Sequence, residues 1–213
     1  DISWVDKHEI SGIRVDQALD FIDRTGDKPF YINVWFNDVH ARYLPTAEQE
    51  KKFSHVNKRV RRRFFAVLHE MDRQVGRLLH GLRERGVESN TLVFLSSDNG
   101  PVVNMGGCLP GNTGPLRGRK LSLYEGGIRM PFIVRWPAAI PAGKVNNRTV
   151  ACDVDLFPTI CHIAKAPLPK GMKLDGQNIT SALHGNMLKR NDPIFWYYPN
   201  RPKPNNAENV SPK

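Results

Sequence analysis

The sequence predicts an α/β protein whose mainly parallel sheet is flanked by helices. Short runs such as Phe30 to Phe36 ("FYINVWF") and Thr91 to Ser96 ("TLVFLS") are apolar at nearly every position, as strands covered on both faces are. Between them lie stretches with the hydrophobic rhythm of amphipathic helices, and glycine or proline marks the junctions. A chain of 213 residues with 40% hydrophobic content encloses a sizeable core without needing disulfides.

Gly12 to Arg24 carries Ile13, Ala18, Leu19 and Ile22 at helical spacing, and Gly26-Asp27-Lys28-Pro29 stops it. The first strand follows at Phe30 to Phe36, then a loop holding a short helix near Thr46 to Phe53. A long helix spans about Val60 to Arg85, with Phe64, Leu68, Met71, Val75, Leu78 and Leu82 on one face and Gly86 as a left-handed cap. Thr91 to Ser96 is the second strand. Ser97 to Arg119 is a Gly, Pro and Asn-rich loop of a length that usually signals function. Gly126 to Arg129 leads into a third strand, Met130 to Trp136, and helices are predicted at Asp153 to Ala164, where Pro158 sits in an early turn, and at Asp175 to His184. From Pro199 onward the chain is rich in Pro, Asn and Lys without periodicity, as a linker or disordered end is.

The formal net charge of +10 raises the question of an anionic partner. The sharpest basic run, Lys58 to Arg63, opens the long amphipathic helix and reads as its solvated face, and no zinc finger, RNA-binding aromatic pattern or helix-turn-helix accompanies it, so nucleic acid is not the expected partner. No apolar run approaches the roughly 20 residues that span a bilayer. Cys108, Cys152 and Cys161 have no metal-ligand spacing and read as free thiols, with a Cys152 to Cys161 bridge as the alternative.

The chemistry concentrates between Leu95 and Pro137. In open α/β sheets ligands collect at the carboxyl ends of strands, where Asp98 and Asn99 fall. A carboxylate and an amide carbonyl are hard oxygen donors, suited to Ca²⁺ or Mg²⁺ rather than to softer metals. Asp-Asn-Gly is equally good turn chemistry, so the tetrapeptide alone leaves both readings open.

Read together, "TLVFLSSDNG", "GPLRGRK", "YEGGIRMPFIVRWP", "DLFPTI" and "LDGQNI", preceded by "KPFYINVWFNDVH" and "MDRQVGRLLHGLRERG", closely resemble the sulfatase family of the alkaline phosphatase superfamily. The resemblance runs from about Gly12 to Tyr198 and implies an alkaline phosphatase/sulfatase-like α/β fold and a sulfuric ester hydrolase. It implies that Asp98 and Asn99 are two ligands of an active-site Ca²⁺, with Mg²⁺ the lesser candidate. It further implies that Lys120 binds a sulfate oxygen, and that His40 contacts the sulfate and assists the leaving oxygen. The surroundings of His40 depart from the family pattern, since "HARYLP" has its proline at Pro45, and a loop histidine held by backbone contacts is the alternative. Arg117 and Arg119 read as structural or solvent-facing, Glu125 and Arg129 as holding loop to strand, and Gly126-Gly127 as permitting tight backbone approach.

The family's nucleophile is a formylglycine made within a C-x-P-S-R-type segment, and no such segment occurs here; Cys108 continues into Leu-Pro-Gly. The expectation is therefore a fragment, incomplete at the N-terminus and at the C-terminus. Residues 1–198 then belong to the catalytic α/β domain, and 199–213 lead toward an absent C-terminal subdomain. Such a piece should be inactive alone, with sulfated small molecules or glycans as substrates of the parent protein. A periplasmic, secreted or lysosomal location is implied by the resemblance. The alternatives are a phosphodiesterase or phosphonate hydrolase of the same superfamily, which would commonly hold two transition metals through extra His and Asp, and a non-catalytic module binding sulfated glycans by charge.

Overall fold

Hydrophobic rhythm and end signals produce the helices close to where the sequence predicts them. The structure, a computed structural model that describes residues 6–103 and 108–198, forms α1 at Ile10–Thr25, α2 at Ala47–Lys51 and α3 at Arg59–Glu84. These are followed by strand β1 at Val93–Ser96, the single-turn α4 at Glu125–Ile128, strand β2 at Phe132–Arg135, α5 at Leu156–Ile163 and the short α6 at Thr180–Leu183. Thr46 starts α2 with a reciprocal cap: its hydroxyl accepts from the Gln49 amide at 3.1 Å while the Gln49 side chain accepts from the Thr46 amide at 2.8 Å. Gly86, at φ 68°, closes α3 in the left-handed region that favours glycine. A 3₁₀ turn at Asp153–Asp155 feeds α5, and Pro158 lies in its first turn, where no intrahelical N–H is needed.

The described chain divides into two compact units, one made of the residues up to Glu88 with Ser97–Pro131, the other of Ser89–Ser96 with the residues from Phe132. In the first, α1 and α3 lie side by side and run in the same direction, since partners rise together in number. Arg77 pairs with Asp16, a Cβ on Gly81 would meet Leu19 at 2.5 Å, and Arg85 pairs with Asp23 at 2.6 Å. Val15, Ala18 and Ile22 of α1 are buried there, each of the larger two contributing roughly 1.5–3 kcal/mol. The buried line of α3 is Ala66, Val67, Glu70, Gln74, Gly81 and Leu82. It is rotated from the predicted apolar stripe: Leu68 is exposed, and Phe64, Met71, Val75 and Leu78 are half-buried. The polar residues of that line are satisfied locally, because Glu70 accepts from Arg73 at 2.7 Å and from Gln74 at 2.8 Å.

In the second unit β1 pairs with β2 antiparallel, Val93 opposite Arg135 and Ser96 opposite Phe132. The α/β class stands, but the pairing shown by the described residues is antiparallel where a parallel one is predicted. An apolar run reports that a strand's faces are covered, not which way its neighbour points. Asp155, fully buried, is the keystone of this unit. Its carboxylate accepts from the amides of Cys152 at 2.8 Å and Gln177 at 2.9 Å and from Arg190 at 2.6 Å. Thr159, one helical turn later, accepts from the Ile179 amide at 3.0 Å.

Phe30 to Phe36, predicted as the first strand, forms no strand among the described residues. Its even positions are half-buried while Tyr31 and Trp35 are 62% and 81% exposed, so the expected coverage of both faces is not met within this chain. The linker reading of 199–213 lies outside the described residues, save that residues up to 198 are seen.

Candidate functional site

The turn that follows β1 is shaped by its own side chains. The Ser97 hydroxyl donates to the Asn99 carbonyl at 3.1 Å, and the Asn99 side-chain amide donates to the Gly100 carbonyl at 2.9 Å. With its NH₂ so engaged, the side-chain oxygen of Asn99 is turned away from that bond and is available to accept. Asp98 is exposed beside it, and Asn99 is half-buried.

Lys120 is brought to this turn by a knot of close backbone contacts. Its amide donates to the Pro101 carbonyl at 3.0 Å, the Gly100 amide donates to Gly127 at 3.0 Å, and the Gly126 amide donates to Arg117 at 2.7 Å. No side chain fits at these crossings. A Cβ on Gly100 would lie 2.0 Å from the Gly126 carbonyl, one on Gly126 would lie 2.2 Å from the Gly118 carbonyl, and one on Gly127 would lie 2.1 Å from the Ser122 carbonyl. Leu121, next to Lys120, is held at φ 71°, a conformation costing a branched residue about 1–3 kcal/mol. The structure thus gathers Asp98, Asn99 and Lys120 onto one loop cluster at the level of the backbone.

The flanking arginines are occupied. Arg119 donates to the carbonyls of Val102 at 3.3 Å and Gly111 at 2.9 Å, stitching the long loop, and the Arg117 guanidinium lies 4.0 Å over the Tyr124 ring. Glu125, which opens α4, and Arg129, just past its end, form an exposed pair at 3.0 Å. Arg62 and Arg63 of the basic run converge on Glu50, at 3.0 and 2.9 Å, instead of forming an open cationic patch.

His40 sits on a turn from another part of the same unit, exposed, with its amide donating to the Asn37 carbonyl at 3.3 Å. Its Nδ1 is 2.6 Å from the Ala41 carbonyl and can only donate to it. Behind it lies a buried ionisable cluster that sequence reasoning did not single out. Asp38, 3% exposed, accepts from the Ser11 hydroxyl, and Lys7 donates to the carbonyls of His40 and of Arg42, the latter at 2.8 Å. Burial pushes the Asp38 carboxyl up to about 6, with the nearby Glu70 charge adding to it and Lys7 opposing. Desolvation lowers the Lys7 ammonium, against the attraction of Asp38. Burial opposes ionisation of Glu70 too, but its bonds to Arg73 and Gln74 hold its carboxyl below the usual range. The one sequence signal for this cluster is an aspartate two residues before His40, at the end of a mostly apolar run.

Asp98 and Asn99 fit a hard divalent cation in kind: two oxygens at the end of a strand, one charged. They would supply two of the six to eight oxygens that calcium takes, and among the described residues no group of three His, Cys, Asp or Glu side chains is placed to hold a metal.

The family model described as Sulfatase matches residues 11–166. A sulfatase of Formosa agariphila is 33% identical over 202 residues, covering 86% of this chain and 36% of that protein. Human steryl-sulfatase is 31% identical, covering 86% of this chain and 31% of its own length. Among solved structures, Ps i-CgsB in complex with k-i-k-neocarrahexaose is 30% identical with a TM-score of 0.75, covering 84% of this chain and 39% of that one. The chain therefore spans about a third of the length of the curated relatives it matches.

Proposed function

The chain belongs to the sulfatase family, and from that premise we propose that it carries the sulfate-binding and leaving-group side of a sulfuric ester hydrolase, in a whole protein that cleaves sulfate monoesters of sugars. Asp98 and Asn99 are the residues that would hold calcium, and Lys120 and His40 the substrate-binding and catalytic groups. What supports the reading is the backbone knot, above all the 3.0 Å bond from the Lys120 amide to Pro101, two residues beyond Asn99.

Hydrolysis of a sulfate ester moves negative charge onto the bridging oxygen as the S–O bond breaks, so fixed positive charge near it lowers the barrier. Calcium, when bound, would draw charge from the sulfate oxygens, and a formylglycine hydrate lying outside this chain would supply the attacking oxygen. Lys120, a compact point charge on a long stem, holds a sulfate oxygen. His40, as the imidazolium, gives the proton on Nε2 to the departing alcohol oxygen and is left as the neutral ring whose Nδ1–H donates to Ala41.

Sugar sulfates are favoured as substrates because Ps i-CgsB, solved with k-i-k-neocarrahexaose, shares the fold of this chain, and the +10 charge suits a polyanion. Human steryl-sulfatase, at nearly the same identity, carries a sterol in its name, so the sulfated oligosaccharide is tested beside a simple aryl sulfate. The test uses the whole protein with 4-nitrophenyl sulfate and a sulfated oligosaccharide. Expected are sulfate release, loss of it with EDTA, recovery with Ca²⁺, and a fall in kcat of roughly 10²–10³ for Lys120→Ala. Release of 4-nitrophenol from a 4-nitrophenyl phosphonate monoester or phosphodiester, without any release of sulfate from the sulfate esters, would overturn the reading.

A further inference from the structure

Three successive carbonyls, those of His40, Ala41 and Arg42, are held in one small turn. Lys7 donates to the outer two, and the His40 ring donates from Nδ1 to the middle one at 2.6 Å. An ammonium has three donors, so two carbonyls leave it capacity to interact with Asp38, whose charge it feels. Asp38 is itself tied to the start of α1 through the Ser11 hydroxyl. Lys7 lies three residues before the start of α1 and is half-buried, so the chain entering α1 reaches across to grip a turn more than thirty residues away.

We propose that Lys7 is a positioning residue for His40: by pinning the carbonyls on either side of Ala41 it aims the middle carbonyl at Nδ1, selecting the ring tautomer and orientation that present Nε2 outward. The assignment rests on the catalytic reading of His40. A free imidazole in water prefers its proton on Nε2, so keeping it on Nδ1 requires a fixed acceptor, and a carbonyl in a mobile turn is a poor one. Charge explains the residue type. A neutral donor could satisfy one carbonyl, whereas an ammonium binds two with charge-assisted bonds and offsets part of the cost of burying Asp38.

The test has a spectroscopic and a kinetic arm. In the 213-residue chain, ¹⁵N spectra of the neutral His40 ring should show the Nδ1–H form. Lys7→Met should shift it toward Nε2–H and speed amide exchange at residues 40–42 by about tenfold or more, while α3 amides stay protected. Lys7→Arg, which keeps two donors and the charge, should retain most of the wild-type pattern. In the whole protein, Lys7→Met should lower kcat by about tenfold with KM changed less than about twofold, and should add nothing to His40→Ala. An unchanged Nδ1–H signal in Lys7→Met overturns the proposal, as does full additivity with His40→Ala. A whole protein without sulfatase turnover before any substitution overturns the catalytic reading instead, and the ring spectrum still reports whether Lys7 selects the tautomer.

Discussion

Asp38 shows what burial does to a single carboxyl. It is 3% exposed, accepts one hydroxyl bond from Ser11, and takes up its proton at about 6 instead of the ordinary 3.8. A folded value above the unfolded one means that its contribution to stability is fully present below 3.8 and is lost as pH rises through about 6. Glu70 has the opposite sign: its lowered value stabilises the fold above its ordinary 4.5 and that help is lost in acid. Asp38→Asn should therefore flatten the rise in stability on going from about pH 7 to about pH 4, measured by urea midpoints at each pH. A variant with the same slope as wild type would show that Asp38 ionises freely. At this scale the sequence marks His40, Asp98, Asn99 and Lys120 as candidates, because the segments that hold them resemble those of sulfatases and their types suit an anionic ester and a hard cation. Lys7 and Asp38 are not visible in the same way. Their roles arise from contacts with a turn and with Ser11 that are distant along the chain, and any surface lysine or loop aspartate looks the same in a sequence.

Among the elements, the glycine knot does most to place the candidate site. Gly100→Ala or Gly126→Ala would drive a methyl into a carbonyl oxygen at 2.0 or 2.2 Å, and since the obstacle is backbone it cannot swing aside. Each should destabilise by roughly 2–4 kcal/mol and, in the whole protein, impair turnover by separating Lys120 from the Asp98 turn. Gly143→Ala, where the backbone φ is also positive at 71° but nothing lies within 4 Å, should cost only about 1 kcal/mol. Thermal melts of the three variants check the order. The pair Gly126-Gly127 is readable in sequence as a place of tight approach; which carbonyls approach is not. Helix α3 teaches a similar lesson. Its length and Gly86 cap follow from periodicity, yet its buried line runs through Glu70 and Gln74, because side-chain bonds to Arg73 and within the helix let polar residues occupy the interface with α1. The run at Phe30 to Phe36 keeps a two-residue alternation of burial without forming a strand, since a strand's neighbour is supplied by the rest of the fold and not by the run itself.

For the whole molecule, the share of its relatives that the chain covers governs what it can do. With Asp98 and Asn99 as its only proposed calcium ligands and no C-x-P-S-R-type segment, the 213-residue chain should show no turnover of 4-nitrophenyl sulfate even with added Ca²⁺. Efficient hydrolysis by the 213-residue chain, removed by Lys120→Ala, would mean that it contains its own nucleophile. Among the described residues no helix is long and apolar enough to cross a membrane. The sequence alone determined the α/β class, the order of the long helices and of the two paired strands, and the family, because these follow from local periodicity, end signals and the segments that resemble sulfatases. Tertiary structure alone decided that β1 and β2 run antiparallel, that Asp155 ties "DLFPTI" to "LDGQNI" through the Gln177 amide, and that Lys7 grips the His40 turn. Each of these is a meeting of segments far apart in the chain, selected by which backbone carbonyls, buried charges and small residues can pack together, and that information resides in no single stretch of sequence.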